Sequence, residues 1–168
     1  MALRPLLYVA LSCRTMFSLD HKIPPPVIAL LCAALAWLLA WATPGFVYLV
    51  PARIPIVVLL VLAGLALDVS GLLAFRKAKT TFNPLAPERS KSIVQTGLYR
   101  FTRNPMYLGM VLELLGLCVY FANPFTVVAV IVFVAYITRF QIIPEERLLL
   151  AKFGDTYAQY TQSVRRWL

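Results

Sequence analysis

MYLGMVLELLGLCVYFANPFTVVAVIVFVAYITRFQII, residues 106–143, consists of two apolar runs separated by Ala122-Asn123-Pro124. A break this short joins two neighbouring antiparallel helices and little else. Each run approaches the ~20 residues that cross ~30 Å of hydrocarbon. The stretch therefore reads as a transmembrane hairpin, and the hairpin sets the depth of every residue on it.

Working outward, residues 27–43 and 54–75 are apolar runs of similar length. The chain is 168 residues long, 61% hydrophobic and 14% charged, too apolar for a water-soluble domain of this size to bury. The expected fold is all-α: a polytopic membrane protein with about four transmembrane helices and a short helical cytoplasmic carboxyl-terminal tail. Residues 23–168 form one membrane-embedded domain. Residues 1–22 are a separate amino-terminal segment, which either lies in the interface or reflects an upstream start, with the working chain beginning at Met16.

The formal net charge is +9, and its placement gives the orientation. Of the 16 Lys and Arg, only Arg53 falls in the first loop; the others precede the first span, fill the second loop, or lie at and beyond the end of the fourth. Four spans put those three regions on one side, which the positive-inside rule makes cytoplasmic. The protein is thus expected to be multi-pass, with both termini cytoplasmic and, in a bacterium, in the inner membrane. The basic surface serves topology and contact with anionic lipid rather than nucleic acid. Cys13, Cys32 and Cys118 show no paired spacing and His21 has no partner, so neither a disulfide framework nor a metal site is expected. The sequence carries no sign of oligomeric state.

Two polar clusters interrupt this pattern. Residues 96–109, TGLYRFTRNPMYLG, run arginines, tyrosines and a proline into the start of the third span, and Pro144-Glu145-Glu146-Arg147 follows the fourth. Both belong to the cytoplasmic surface. Counting outward from Asn123 and Pro124 puts Arg139 level with Leu108, where it either snorkels to the cytoplasm or lines a polar pocket. Asp68 and Glu113 lie within spans, roughly 12 Å from the cytoplasmic ends at 1.5 Å per residue. With Arg139 they are candidate walls of a substrate cavity, although the simpler reading has Asp68 bonded to Ser70 or to another helix and Glu113 as a protonated packing residue. Gly109, Glu113 and Gly116 share a helix stripe that should face protein rather than lipid.

The side chains at the cytoplasmic surface suggest a ligand. Arg100 and Arg103 are forks for a carboxylate or phosphate, Tyr99 and Tyr107 are flat faces with a hydroxyl, and Glu145 with Glu146 suits an ammonium. S-adenosylmethionine combines an aromatic base, a carboxylate and a positive charge. No GxGxxG loop is present, so a soluble dinucleotide-type fold is excluded and the cofactor would sit among helix ends.

TGLYRFTRNPMYLG followed by PEERLLLAKFGDTYAQY resembles the isoprenylcysteine carboxyl methyltransferase and phospholipid methyltransferase superfamily, over residues 95–167. The resemblance implies an integral membrane enzyme whose half at 95–168 wraps S-adenosylmethionine at the cytoplasmic face. A lipophilic substrate would enter sideways from the bilayer. Arg103, Pro105, Tyr107 and Gly109 fall on the first motif, Glu145 and Glu146 on an acidic pair, and Tyr157 and Tyr160 on the tail. The resemblance thus implies cofactor contacts from Tyr99, Arg103, Asn104, Pro105, Tyr107, Leu108, Gly109, Glu145, Glu146 and Tyr157, with Arg103 and Glu146 closest to catalysis. The implied reaction is in-line methyl transfer to the carboxylate, thiol or amine of an isoprenoid or lipid-like molecule. Asn104 stands where the superfamily has histidine, so positioning replaces acid–base chemistry there. Ser163-Val164-Arg165-Arg166 replaces an Arg-Val-Pro of the eukaryotic enzymes. A non-catalytic scaffold with a vestigial cofactor site and an NADPH-dependent membrane reductase are the alternative readings.

Overall fold

The computed structural model describes residues 20, 22–78 and 93–168. The amino-terminal segment through residue 19, with Arg4, Cys13, Arg14 and Met16, lies outside the described residues. So do His21 and residues 79–92, which include Lys79, Arg89 and Lys91. The architecture is all-α. Helix α1 spans Pro25–Ala42, α2 Arg53–Lys77, α3 Pro105–Phe121, α4 Val127–Ile137, α5 Ile143–Phe153 and α6 Asp155–Ser163. Helices α1 and α2, together with the continuous run Pro124–Phe153, are long and apolar enough to cross a membrane. At 17 residues α3 is shorter than α1, α2 or the run Pro124–Phe153, near the lower limit for a span.

Proline starts these helices where the sequence places it. Pro24–Pro26 opens α1 and Pro105 opens α3, positions whose missing N–H has no helical acceptor to lose. At the far end, Thr43 closes α1 by donating its hydroxyl to the Leu39 carbonyl at 2.6 Å. Ala122 ends α3 in a left-handed conformation, φ +50°, and reverses the chain. Asn123 then joins the two far-side loops. Its amide donates to the Thr43 carbonyl at 2.8 Å and to the Thr43 hydroxyl at 2.9 Å, while its carbonyl accepts from the Phe125 N–H at 3.0 Å. Phe46 meets Phe125 edge-on at 5.0 Å beside it. Asn123 is 1% exposed, so replacing it with alanine leaves buried polar groups unpaired. We expect Asn123→Ala to cost about 2–3 kcal/mol, read as a lowered thermal midpoint in detergent, and Asn123→Asp to retain part of it.

Helix α3 makes its widest contact with α2, not with its hairpin partner α4. Glycine explains why. A Cβ on Gly64 would lie 2.7 Å from the Gly109 carbonyl oxygen, and one on Gly109 would lie 2.7 Å from that of Gly64. Gly71 sits under Met106, and Gly116 sits over Val61. Backbones approach this closely only where side chains are absent, so the Gly109–Glu113–Gly116 stripe faces α2. On α2 only Gly64 and Gly71 are buried, while Leu59 and Leu62 point outward at 68% and 60% exposure, as befits a helix solvated by lipid.

The fourth apolar run does not end at residue 143. Thr138–Ile142 form a π-helical turn, and the helix continues through Pro144 into α5. Proline cannot donate to the carbonyl four residues back, and its ring crowds that carbonyl. The wider turn, in which the Ile143 N–H donates to the Thr138 carbonyl, admits the proline without breaking the helix. Glu145 and Glu146 are therefore carried on a continuing helix rather than at a fresh helix start. Gln141, fully buried in this turn, donates its amide to the Ile23 carbonyl at 2.7 Å and so anchors the entry to α1.

Candidate active site

Most of the residues singled out in the two polar clusters converge. Gly97, at φ +63°, turns the chain into a single 3-10 turn over Gly97–Arg100, which sinks Tyr99 into the protein. The Tyr99 ring meets Phe75 of α2 edge-on at 5.4 Å, and its carbonyl accepts from the Tyr160 hydroxyl at 2.7 Å. Thr102 forms an isolated parallel bridge with Arg165. One residue on, the Arg103 guanidinium reaches α5 and meets Glu146 at 3.0 Å.

Glu146 has a second guanidinium. Arg166 places Nε 3.0 Å from one carboxylate oxygen and Nη2 2.7 Å from the other, a two-pronged arrangement. Arg103 is 11% exposed and Glu146 18%, so within this triad that pair is largely desolvated, while Arg166 stands at its edge at 37%. The Arg103 Nε–H is buried with no hydrogen-bond partner among the described residues. Next to it, Glu145 is hydrogen-bonded to the Tyr107 hydroxyl from the first turns of α3. Tyr157, 4% exposed, forms the floor with Tyr160. Burial first, then the Glu146 charge, raises the Tyr157 hydroxyl above the usual phenol range, with Arg103 opposing. Burial pushes Tyr160 up to about 12 against the pull of Arg103. Both phenols stay neutral at physiological pH and serve as donors and walls rather than bases.

Asn104 has a structural partner. Its amide donates to the Arg166 carbonyl at 2.8 Å, its N–H donates to the Thr102 hydroxyl at 3.2 Å, and its carbonyl accepts from Leu108 at 3.0 Å as α3 begins. Pro105 is buried in that first turn, Leu108 is half-buried, and Gly109 lies against Gly64 and Asp68 of α2.

Deeper in the membrane region, Asp68 and Glu113 line one cavity of about 530 Å³ between α1, α2 and α3, walled by Pro26, Ala29, Leu65 and Met110 among others. One Asp68 oxygen is buried there without a hydrogen-bond partner. Arg139 is not part of this cavity. It lies on the π turn, over the Phe140 ring at 5.3 Å and 3.9 Å from the Asp20 carboxylate, with its side chain 58% exposed. Arg100 is likewise exposed, away from the triad that Arg103 joins. Sequence reasoning did not assign Arg166 to the cluster. The only signal was the pair of arginines after Val164, whose partners lie 20 and 62 positions back.

The phospholipid methyltransferase family matches residues 52–156, from the start of α2 to the beginning of α6. A protein of Haemophilus influenzae described as uncharacterized is 46% identical over 63 residues, 38% of this chain and the whole of that protein. No solved structure matches the chain. The match spans more than half of the sequence and takes in Arg103, Tyr107, Glu145 and Glu146, so the chain belongs to the phospholipid methyltransferase family, within the integral membrane methyltransferases.

Proposed function

We propose that the protein is an S-adenosylmethionine-dependent methyltransferase that works at the cytoplasmic interface on a lipophilic acceptor drawn from the bilayer. Family membership supports a membrane methyltransferase acting on lipid-like substrates. The observation that supports this cofactor is the Arg103 Nε–H, buried and without an acceptor among the described residues, in a guanidinium paired with the Glu146 carboxylate. An amino acid carboxylate satisfies that donor. Glu145 accepts from Tyr107 and retains lone pairs for an ammonium, and Tyr107 and Tyr157 supply apolar faces.

When bound, the sulfonium cofactor supplies an activated methyl group. The chain's own contribution is placement: Arg103 and Glu145 hold the charged end, while the ordered triad and the buried phenols exclude water. Orienting two reactants in this way can supply roughly 7–11 kcal/mol of a barrier. With Asn104 bound to the chain's own backbone, no titratable group stands at that position, which favours an acceptor that needs little deprotonation. The cavity holding Asp68 and Glu113 is where the acceptor's polar end would lodge.

Titration calorimetry of the purified protein with S-adenosylmethionine, S-adenosylhomocysteine and NADPH tests the reading. Binding of the two sulfur nucleosides and not of NADPH is expected. NADPH binding alone would turn the assignment toward a reductase, and no binding toward a scaffold. Labelled-methyl transfer into a lipid extract would then identify the acceptor.

A further inference from the structure

The last residues of the chain are tied to the cluster by main chain and side chain together. The Arg165 carbonyl accepts from the Arg103 N–H at 3.0 Å, and the Arg166 carbonyl accepts from the Asn104 amide at 2.8 Å and the Thr102 hydroxyl at 3.4 Å. Trp167 donates its indole N–H to Thr138 on the π turn at 3.2 Å. Residues 164–168 thus strap the loop before α3 to α5, and they lie beyond the region that matches the family.

The strap decides how Arg103 meets Glu146. A guanidinium and a carboxylate left to themselves favour two parallel N–H···O bonds. Here Arg166 takes that arrangement, using both Glu146 oxygens. Arg103 meets Glu146 through Nη2, 3.0 Å from one oxygen, and its Nε–H remains buried and unpaired among the described residues, so it does not share in a fork through Nε. We propose that Arg166 is a positioning residue: by occupying Glu146 it keeps Arg103 from closing onto the same carboxylate, and so keeps the Arg103 Nε–H open for the carboxylate of a bound amino acid group. This rests on the cofactor reading above.

The inference predicts a selective effect. In Arg166→Ala, Arg103 is free to pair with both Glu146 oxygens, and the donor that serves the ligand carboxylate is lost. S-adenosylhomocysteine affinity should fall about tenfold or more. 5′-Methylthioadenosine has the nucleoside and the sulfur but no amino acid end, so its affinity should change little. Arg166→Lys, which carries the charge without the fork, should recover part of the loss. Strap docking is followed separately in a background with Trp37→Phe and Trp41→Phe, where Trp167 is the remaining tryptophan and its emission reports release from Thr138.

Calorimetry with both nucleosides on the parent, Arg166→Ala and Arg166→Lys decides the matter. Selective loss for S-adenosylhomocysteine with partial rescue by lysine is the expected result. Equal loss for both ligands, with red-shifted Trp167 emission, would mean that Arg166 only holds the tail down, and the inference falls. Unchanged or tighter S-adenosylhomocysteine binding in Arg166→Ala overturns it as well. A parent that binds neither nucleoside overturns the cofactor reading and this inference with it. A parent that binds both keeps the two failures apart.

Discussion

Glu146→Ala should lower cofactor affinity by roughly tenfold or more, because Arg103 loses the carboxylate that fixes its position, and should also weaken the fold. Its carboxylate is the common partner of Arg103 and Arg166. Removing it leaves two guanidinium groups facing each other, and Arg103 is 11% exposed, with little water to take over. Deleting one partner of a buried ion pair costs about 3–5 kcal/mol. Arg166 is 37% exposed and rehydrates readily, so about 2–3 kcal/mol is the better expectation here. Part of that cost is repulsion, which makes a specific demand on the double variant. Glu146→Ala with Arg103→Ala should be more stable than Glu146→Ala alone, with a coupling of at least about 1 kcal/mol. Cofactor affinity should not recover, because the donor for the ligand carboxylate is then gone too. Arg103→Ala by itself should weaken binding by roughly 10- to 100-fold, the value of one charge-assisted hydrogen bond, with a smaller loss of stability. Calorimetry and thermal unfolding on the same detergent preparations check all three. Parent-like affinity in Arg103→Ala would remove that residue from the site.

The parts of this site that were legible in the sequence are those that depend on local chemistry. Tyr107 and Arg103 flank a proline that can only open a helix, and Glu145 and Glu146 follow another, so both clusters could be assigned to the ends of apolar runs. The glycine stripe on α3 could be read because small residues at helical spacing require a close neighbour. What faces that stripe could not. Gly64 opposes Gly109 through the relative rotation of two helices, which no local pattern encodes. Arg139 shows the same limit. Straight-helix counting gives its depth, but the π turn around it helps decide where its side chain points, and that is toward Asp20. A proline such as Pro144 by itself favours a helix start, whereas the turn before it widens by one residue and lets the helix continue. Asn104 and Arg166 are the clearest case. Each has an evident chemistry on its own, but their partnership joins the beginning of α3 to the end of the chain and becomes visible only in three dimensions.

Gly109→Val should be the most damaging single substitution in the membrane region, because it forces α2 and α3 apart. Even the first atom of a side chain is too much. A Cβ at this position would overlap an Asp68 carboxylate oxygen and lie 2.7 Å from the Gly64 carbonyl, and the second of these is backbone that cannot turn aside. Overpacking a core typically costs 1–3 kcal/mol, and a rigid overlap at a helix crossing puts Gly109→Ala at about 3 kcal/mol and Gly109→Val above it. Better helix propensity returns at most about 1 kcal/mol to the alanine variant. Gly116→Ala supplies the contrast. Its Cβ would meet a Val61 methyl at 3.3 Å, which can give way, while the Leu60 Cβ at 3.5 Å and the Val57 carbonyl at 3.6 Å lie at ordinary contact distance, so propensity and crowding should nearly cancel. Two double variants identify the cause. Asp68→Ala should relieve only part of the Gly109→Ala defect, because the Gly64 carbonyl remains in place. Gly64→Ala added to Gly109→Ala should cost far less than it does alone, since the helices are already separated. Tyr107 stands two residues before Gly109 on the same helix, so cofactor affinity should fall together with stability. Chemical unfolding in detergent measures the first and calorimetry the second, and a Gly109→Ala variant that unfolds like the parent would show that the crossing is looser than these distances require.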